Sequence, residues 1–589
     1  MIVPMKKVTL LTSQQHRDAT LIQLRKLGVL HIQDVKPPVS EDIQLLENKL
    51  DNVERALQII PANGPSDRQI SESQAMEIIE QALALHRQRE GLRRELAELS
   101  EINAWFDRWG QISYRSIQQL REKGIFVRLY VGDKSFLKRL PRDKIVHIEE
   151  VDGQVHLALF SQTPDDKLDL KEEPIPSMEP DLVKAQIGSL EQEIRQIEGQ
   201  LNQLASGRAA LHAYRQDLLK RLELNRVKHG MGEDAGIAYL QGFCPEDVIG
   251  EIQKAAEKEG WGYIIADPDD PAEVPTVIRN PKWIRIIEPL FKFMGTLPGY
   301  HEQDVSLVFL VFFSVFYALI VGDAGYGLIF LLATFLFDRK IRSSSREFVR
   351  LMYLVSFVTI LWGTVTGTWF GSEKIAQLPF LKMFVIEPIN SFNPKSTDVI
   401  MQLTFLIGAI HLSIGHLLSA AKKSPSLPAL ADLGWILVLW GVYFVANNIV
   451  LGKALSKATL PLIIAGASIV LLFANFQKNF IKGMLITLGN LPLSIISSFS
   501  DIVSYIRLFA VGLATVIVAT SFNEMAIGSG INSVVSGIIA AIILLLGHAI
   551  NLILCGMSIL VHGVRLNMLE FSGHVGVQWT GKPYRPFKE

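Results

Sequence analysis

The chain is poor in cysteine, with two residues in 589. Cys244 and Cys555 stand far apart, one in each half of the chain, which excludes a disulfide framework and argues against a cysteine metal site. It carries almost no net charge, −1 at pH 7, and so offers no electrostatic reason to expect nucleic acid. No phosphate-binding GxxxxGKS or GxxxxGKT loop occurs, so a nucleotide-hydrolysing centre within the chain is not expected. The N-terminal MIVPMKKVTLLTSQQ lacks a long apolar run, which argues against a signal peptide and predicts that the first half stays in the cytoplasm. Neither a metal nor a cofactor is expected.

What is present is unevenly distributed. Charged residues make up 20% of the chain, yet its mean hydropathy is positive, +0.25. Up to about Asp304 the sequence is dense in Lys, Arg, Asp and Glu; from Val305 to Leu569 it is mostly apolar, with charges gathered in short loops. Two solvents are implied: a soluble half, residues 1–300, and a polytopic membrane half, residues 301–589.

In the soluble half, residues 1–40 read as strand, helix, strand, and so do residues 235–267, while 125–172 alternate like strands. Between them the period lengthens. Ile43, Leu46, Leu50, Val53, Leu57 and Ile60 follow three- and four-residue steps, as do Ile78, Ala82, Leu85, Leu92, Leu96 and Leu99 after PANGPSD. A third run, from Val183 through Ile187, Leu190, Ile194, Ile197 and Leu201 to Leu222, is interrupted by Arg208 and Arg215. Such repeats predict helices paired along a seam, over about 41–124 and 181–229. The expected assembly is a long antiparallel coiled coil joining two α/β lobes, its third run spanning roughly 70 Å at 1.5 Å per residue. A generic coiled-coil interaction domain is the plainer alternative.

Eight apolar stretches approach the ~20 residues needed to cross a bilayer: 304–321, 324–338, 348–370, 399–420, 432–451, 458–476, 487–527 and 531–569. An α-helical, eight-span membrane domain follows. The basic loops DRKIRSSSREFVR, AAKKSPS and QKNFIKG and the terminal KPYRPFKE fall on one side with the soluble half, which makes that side cytoplasmic. LGKALSKA, with two lysines, runs against the rule.

Charge inside a bilayer is costly, by at least ~2.5 kcal/mol, and implies a task. The seventh stretch carries Asp501 and Arg507. In the eighth, His548, Asn551, Cys555, Ser558, His562 and Arg565 recur at three- and four-residue steps and form one polar stripe, a route for ions or water or a buried helix contact. Ser504 shares a face with Arg507, and Tyr505 lies beside it. Asp501 and Arg507 are six residues apart, poor geometry for a pair on one helix. Two arginines without two evident acids leave positive charge uncompensated, so the missing acid is expected on another subunit.

SDIVSYIRLFAVGLA and GHAINLILCGMSILVHGVRLNMLEF together resemble the last two membrane helices of V-type/A-type ATPase subunit a, called subunit I in prokaryotes. VPTVIRN, VGDAGYGL and GAIHLSIGH fit in the same order, and the likeness runs the length of the chain. The resemblance implies that Arg507 is the essential arginine and Arg565 its partner in ion translocation. It implies a rotor ring of proteolipid subunits, each with a membrane carboxylate, together with peripheral-stalk subunits, a central-stalk adaptor subunit and a prokaryotic plasma membrane. Asp501, Ser504, Tyr505, His548, Asn551, Cys555, Ser558, His562 and Glu570 are candidate half-channel lining. Two positions depart from the eukaryotic pattern: Cys555 stands where that pattern has glutamate and Thr515 where it has histidine. Asp323 is expected to brace the turn between the first two spans, and His411 and His416 to pack. The competing readings are a secondary transporter with a regulatory arm and a membrane scaffold. The first calls for a repeat between spans one to four and five to eight, which is not evident; the second leaves the two arginines unexplained.

Overall fold

The computed structural model describes residues 1–62, 71–133, 145–151, 154–339, 346–476, 480–528, 530 and 533–588. Parts of PANGPSD, of the expected lobe at 125–172, of the loops DRKIRSSSREFVR and QKNFIKG, and of the segment between the last two apolar stretches, expected on the opposite side of the membrane, lie outside the described residues. The chain divides into two units, one of Ser13–Leu21 and Asp34–Ala238, the other of Met1–Thr12, Ile22–Gln33 and Tyr239–Lys588.

Four long helices frame the first unit among its described residues, beside a shorter one at Tyr114–Glu122. Helix α1 (Glu41–Ile59) starts where the Ser40 side chain accepts the Ile43 N–H, and α2 (Glu72–Trp109) starts on a capping box of Ser71 and Gln74. Helix α3 (Pro180–Leu204) opens on a proline, and α4 (Arg208–Gly230) follows after one tight turn. Val53, Leu57 and Ile60 pack with Ile79, Leu211 and Leu218, while Leu99 and Phe106 pack with Val183, Leu190 and the strand residues Leu129 and Ala158. Each such buried side chain contributes roughly 1.5–3 kcal/mol. The two arginines that break the seam have partners. Arg208 donates to the carbonyls of Leu57 and Ile60 at the end of α1, where a cation suits the helix C-terminus, and Arg215 pairs with Glu54 at 2.7 Å. A four-stranded antiparallel sheet completes the unit, in the order 145–151, 154–161, 126–133, 171–173.

In the second unit, strands from both ends of the soluble half share one sheet: His31–Gln33, Ile237–Pro245, Met5–Ser13 and Gly262–Ala266 in that order. Cys244 on this sheet is fully buried, and burial pushes its thiol up to about 12. A water-soluble maleimide is therefore expected to leave Cys244 unmodified in the folded chain and to modify it after denaturation, as read by peptide mass spectrometry; rapid labelling of folded protein would show this placement to be wrong. The chain's last residues return to the same lobe. Lys582–Pro583 pairs with Pro275–Thr276, and Phe587 N–H donates to Leu30 O at 2.8 Å.

The apolar half of this unit is helical. Helices α5 (Ser306–Val321) and α6 (Ala324–Asp338) meet at a 120° bend. Then come α7 (Arg346–Val365), α8 (Ser396–Lys423), α9 (Pro428–Leu451), the shorter α10 (Thr459–Phe473), α11 (Phe480–Ser504), α12 (Ile506–Ile527) and α13 (Val534–Ser558). Among the described residues, five helical stretches are long and apolar enough to cross a membrane, or six if the bent pair counts as one span. The expected eight is reached only by adding each arm of the bent pair and the short α10. The stretches Ile481–Ile527 and Val534–Val575, of 47 and 42 residues, are each about twice the length a bilayer requires. Gly512 on α12 lets that helix approach α5 closely: a Cβ there would lie 2.3 Å from Leu319 O.

Candidate functional site

Beyond Ser558 the last long helix changes its winding, with π turns at Ile559–Gly563 and Leu566–Phe571. Five residues on an α-helix turn through about 140° beyond a full circle, whereas i→i+5 bonding brings positions five apart toward one face. Arg565 and Glu570 are five apart, and both reach one point. Arg507, at the start of α12 after the break at Tyr505, completes the cluster. Its Nη2 donates to Glu570 Oε1 at 2.5 Å and its Nε to Ser504 O at 3.0 Å. Arg565 Nε lies 3.6 Å from the same Glu570 oxygen. The Glu570 side chain is 6% exposed, Arg507 23% and Arg565 52%. The two arginines thus meet one acid within the chain, Glu570, five residues before the end of the apolar stretch Val534–Val575, and one of their two positive charges is left uncompensated. The π turns that align it with Arg565 leave no signature in an α-periodic pattern.

Asp501 does not pair with Arg507. Its Oδ2 lies 3.1 Å from His574 Nε2, whose Nδ1 lies 2.8 Å from His416 Nε2. His416 Nδ1 faces Asp432 Oδ1 at 3.5 Å, and Lys423 Nζ reaches Asp432 Oδ2 at 2.8 Å. These groups and Glu570 line a cavity of about 530 Å³ with Ser494, Ser497 and Ser498. Two carboxylates joined through two imidazoles can exchange a proton end to end by tautomer shifts. His416, expected to pack, does stack on Trp435 but also belongs to this chain. His574 and Asp432 escaped the sequence reading because both sit at or beyond the edges of the apolar stretches. His411 packs, stacked between Phe312 and Phe571 with Nδ1 2.8 Å from the buried Tyr505 hydroxyl.

A second polar group surrounds the N-terminal part of the stripe, His548 to Cys555. Tyr326 Oη lies 2.7 Å from His548 Nδ1 and accepts from Asn551 Nδ2 at 3.0 Å. His548 Nε2 lies 3.2 Å from Asn523 Oδ1, which leaves neutral His548 as the Nε2–H tautomer. Asn551 also donates to Thr515 O, and the Thr515 hydroxyl lies 3.5 Å from Cys555 Sγ. Asp323 underlies this group: at 0% exposure it accepts backbone N–H bonds from Gly325, Tyr326, Phe370 and Gly371. Ser558 and His562 are half-buried between the two regions, and His562 Nδ1 has no partner among the described residues. Nor do those residues include a cluster of three His, Cys, Asp or Glu that could hold a metal.

No family model matches the chain. It is 30% identical to V-type ATP synthase subunit I of Borreliella burgdorferi over 620 residues, covering all of both chains. It is also 30% identical to V-type ATP synthase subunit I 1 of Treponema pallidum over 626 residues, again covering both completely. A-type ATP synthase subunit I of Methanocaldococcus jannaschii is 27% identical over 447 residues, 68% of this chain and 63% of that one. A solved structure, the cytoplasmic N-terminal domain of subunit I, homolog of subunit a, of V-ATPase, aligns over 44% of this chain and all of its own at 17% identity, with a TM-score of 0.26.

Proposed function

Because this chain belongs to the subunit I family of V-type and A-type ATP synthases, and so works as a membrane subunit within a rotary ATPase complex, we propose that it is the stator wall past which a ring of proteolipid subunits carries ions. Arg507 gives each passing ring carboxylate a fixed counter-charge, which favours the ionised carboxylate and releases its ion. A guanidinium suits the task because it does not lose its own proton. The cavity with the Asp432–His416–His574–Asp501 chain serves as the half-channel on the side of the basic loops, the cytoplasm. The Tyr326–His548–Asn551–Cys555 group serves the opposite side. Arg507 between them blocks direct leakage. Eight membrane segments carry this apparatus. The paired helices of the first unit act as a coiled-coil strut that meets the peripheral stalks and the central-stalk adaptor, so that torque on the ring finds resistance. The nucleotide chemistry belongs to partner subunits.

The observation that carries this reading is a part-exposed guanidinium within an apolar stretch. Arg507 shares its α12 face with Ala510, Ala514 and Ile517, all exposed at three- and four-residue steps, two of them small enough to admit another helix closely. The test is oxidative cross-linking of Ala514→Cys, in the assembled complex, to single cysteines placed along the outer helix of the ring. A disulfide near the ring carboxylate is the expected result. No cross-link at any ring position, in a complex that retains its ring, would remove the basis for the proposal.

A further inference from the structure

We infer that Glu570 is a positioning residue that sets the charge of the arginine pair to one net positive unit, so that the site takes up and releases one ring carboxylate at a time. This rests on the function proposed above and deepens it. Arg507 and Arg565 carry two positive charges, and Glu570 Oε1 touches the first at 2.5 Å and faces the second at 3.6 Å. Asp501, the other nearby acid, makes its contact to His574 and forms no ion pair with either arginine among the described residues. With Glu570 in place, one arriving carboxylate brings the cluster to neutrality. Without it, two guanidinium groups would face a single carboxylate, and departure from the site would slow.

The geometry also fixes direction. Glu570 occupies Nη2 of Arg507 and Ser504 O occupies Nε, so the planar fork keeps Nη1, which has no partner among the described residues, for an outside acceptor. Glu570 itself is nearly enclosed, and its Oε2 is buried with no partner among the described residues. The second oxygen is therefore not tied up elsewhere, and the carboxylate's fixed commitment is to the arginines.

The test uses the whole complex in sealed vesicles, reading ATP-driven ion uptake, ATP hydrolysis and subunit content. Glu570→Gln should lower uptake by roughly tenfold or more, since it removes the nearly enclosed carboxylate that both arginines face. Glu570→Asp, which keeps the charge, should retain most uptake. Glu570→Gln combined with Arg565→Gln restores one net positive charge and should recover uptake several-fold over Glu570→Gln alone, which a merely structural role would not do. If Glu570→Gln does not assemble, the double variant decides: regained assembly and uptake support the inference, and failure overturns it. Wild-type uptake by Glu570→Gln, or no gain in the double variant, also overturns it. Arg507→Gln in parallel separates the two levels. If it abolishes uptake while Glu570→Gln is normal, only this inference falls; if it pumps normally, the proposed function falls as well.

Discussion

Arg507→Gln in the assembled complex is expected to abolish ion uptake while leaving the subunits associated. The native guanidinium is held by Ser504 O and Glu570 and keeps part of its surface open. Glutamine keeps a donor for the carbonyl but removes the charge, so a ring carboxylate would meet no net positive charge, Arg565 being balanced by Glu570, and Glu570 would lose its nearest partner. A counter-charge worth about 3 kcal/mol at a part-buried site corresponds to a rate change of roughly a hundredfold. Arg507→Lys should fail almost as badly. An ammonium is a point charge and cannot hold three acceptors in one plane as the guanidinium fork does, and a lysine in an apolar setting can shed its proton. Uptake is read by dye quenching or tracer in vesicles, association by native gel and hydrolysis by phosphate release. Normal uptake by either variant would defeat the assigned role.

The sequence shows a charged and an apolar half, because solvent dictates composition over hundreds of residues, but the two compact units divide elsewhere, with Tyr239–Lys588 in one of them. It carried the paired-helix periodicity of the first unit for a similar reason: Val53, Leu57, Leu211 and Leu218 repeat at helical steps because they share a buried seam. It also flagged a polar stripe from His548 to Arg565, which the structure divides. His548, Asn551 and Cys555 turn inward to Tyr326 and Thr515, whereas Arg565 is carried by the π turns toward Arg507 and Glu570. What escaped notice depends on contacts between distant segments. Glu570 meets Arg507 from 63 residues away, His574 meets His416 from 158, and Phe370 meets Asp323 from 47. A single sequence records such partners only as isolated polar residues near the ends of apolar stretches. The span count was blurred by the same physics. Helices α5 and α6 are short because the chain reverses at a turn buried in protein, where side-chain and backbone partners replace the helix's own hydrogen bonds.

That turn supports the other large expected effect: Asp323→Ala should prevent accumulation of folded subunit. Asp323 Oδ1 accepts from Gly325, Tyr326 and Phe370 at 2.7, 3.2 and 2.9 Å, and Oδ2 accepts from Gly371 at 2.8 Å. Removing the carboxylate leaves four N–H groups unpaired at a site with no solvent exposure. At roughly 1–3 kcal/mol each, the loss is comparable to a domain's whole stability of about 5–15 kcal/mol. Two of those bonds hold Phe370 and Gly371 at φ of +52° and +63°. For Phe370 this is a strained conformation, costing about 1–3 kcal/mol, that persists only while its neighbours impose it. The effect would reach the polar group above, since Phe370 O accepts from Asn523 Nδ2 at 2.6 Å and Asn523 Oδ1 faces His548. Asp323→Asn should be milder. An amide oxygen in the Oδ1 position keeps three of the four bonds, but its NH2 then opposes the Gly371 N–H, donor against donor. Yield from membranes and the unfolding midpoint in detergent should rank wild type above Asn and Asn above Ala. An alanine variant that accumulates normally and unfolds at the wild-type temperature would mean that this carboxylate does not hold the turn, and the arrangement of Tyr326, Asn523 and His548 would need another cause.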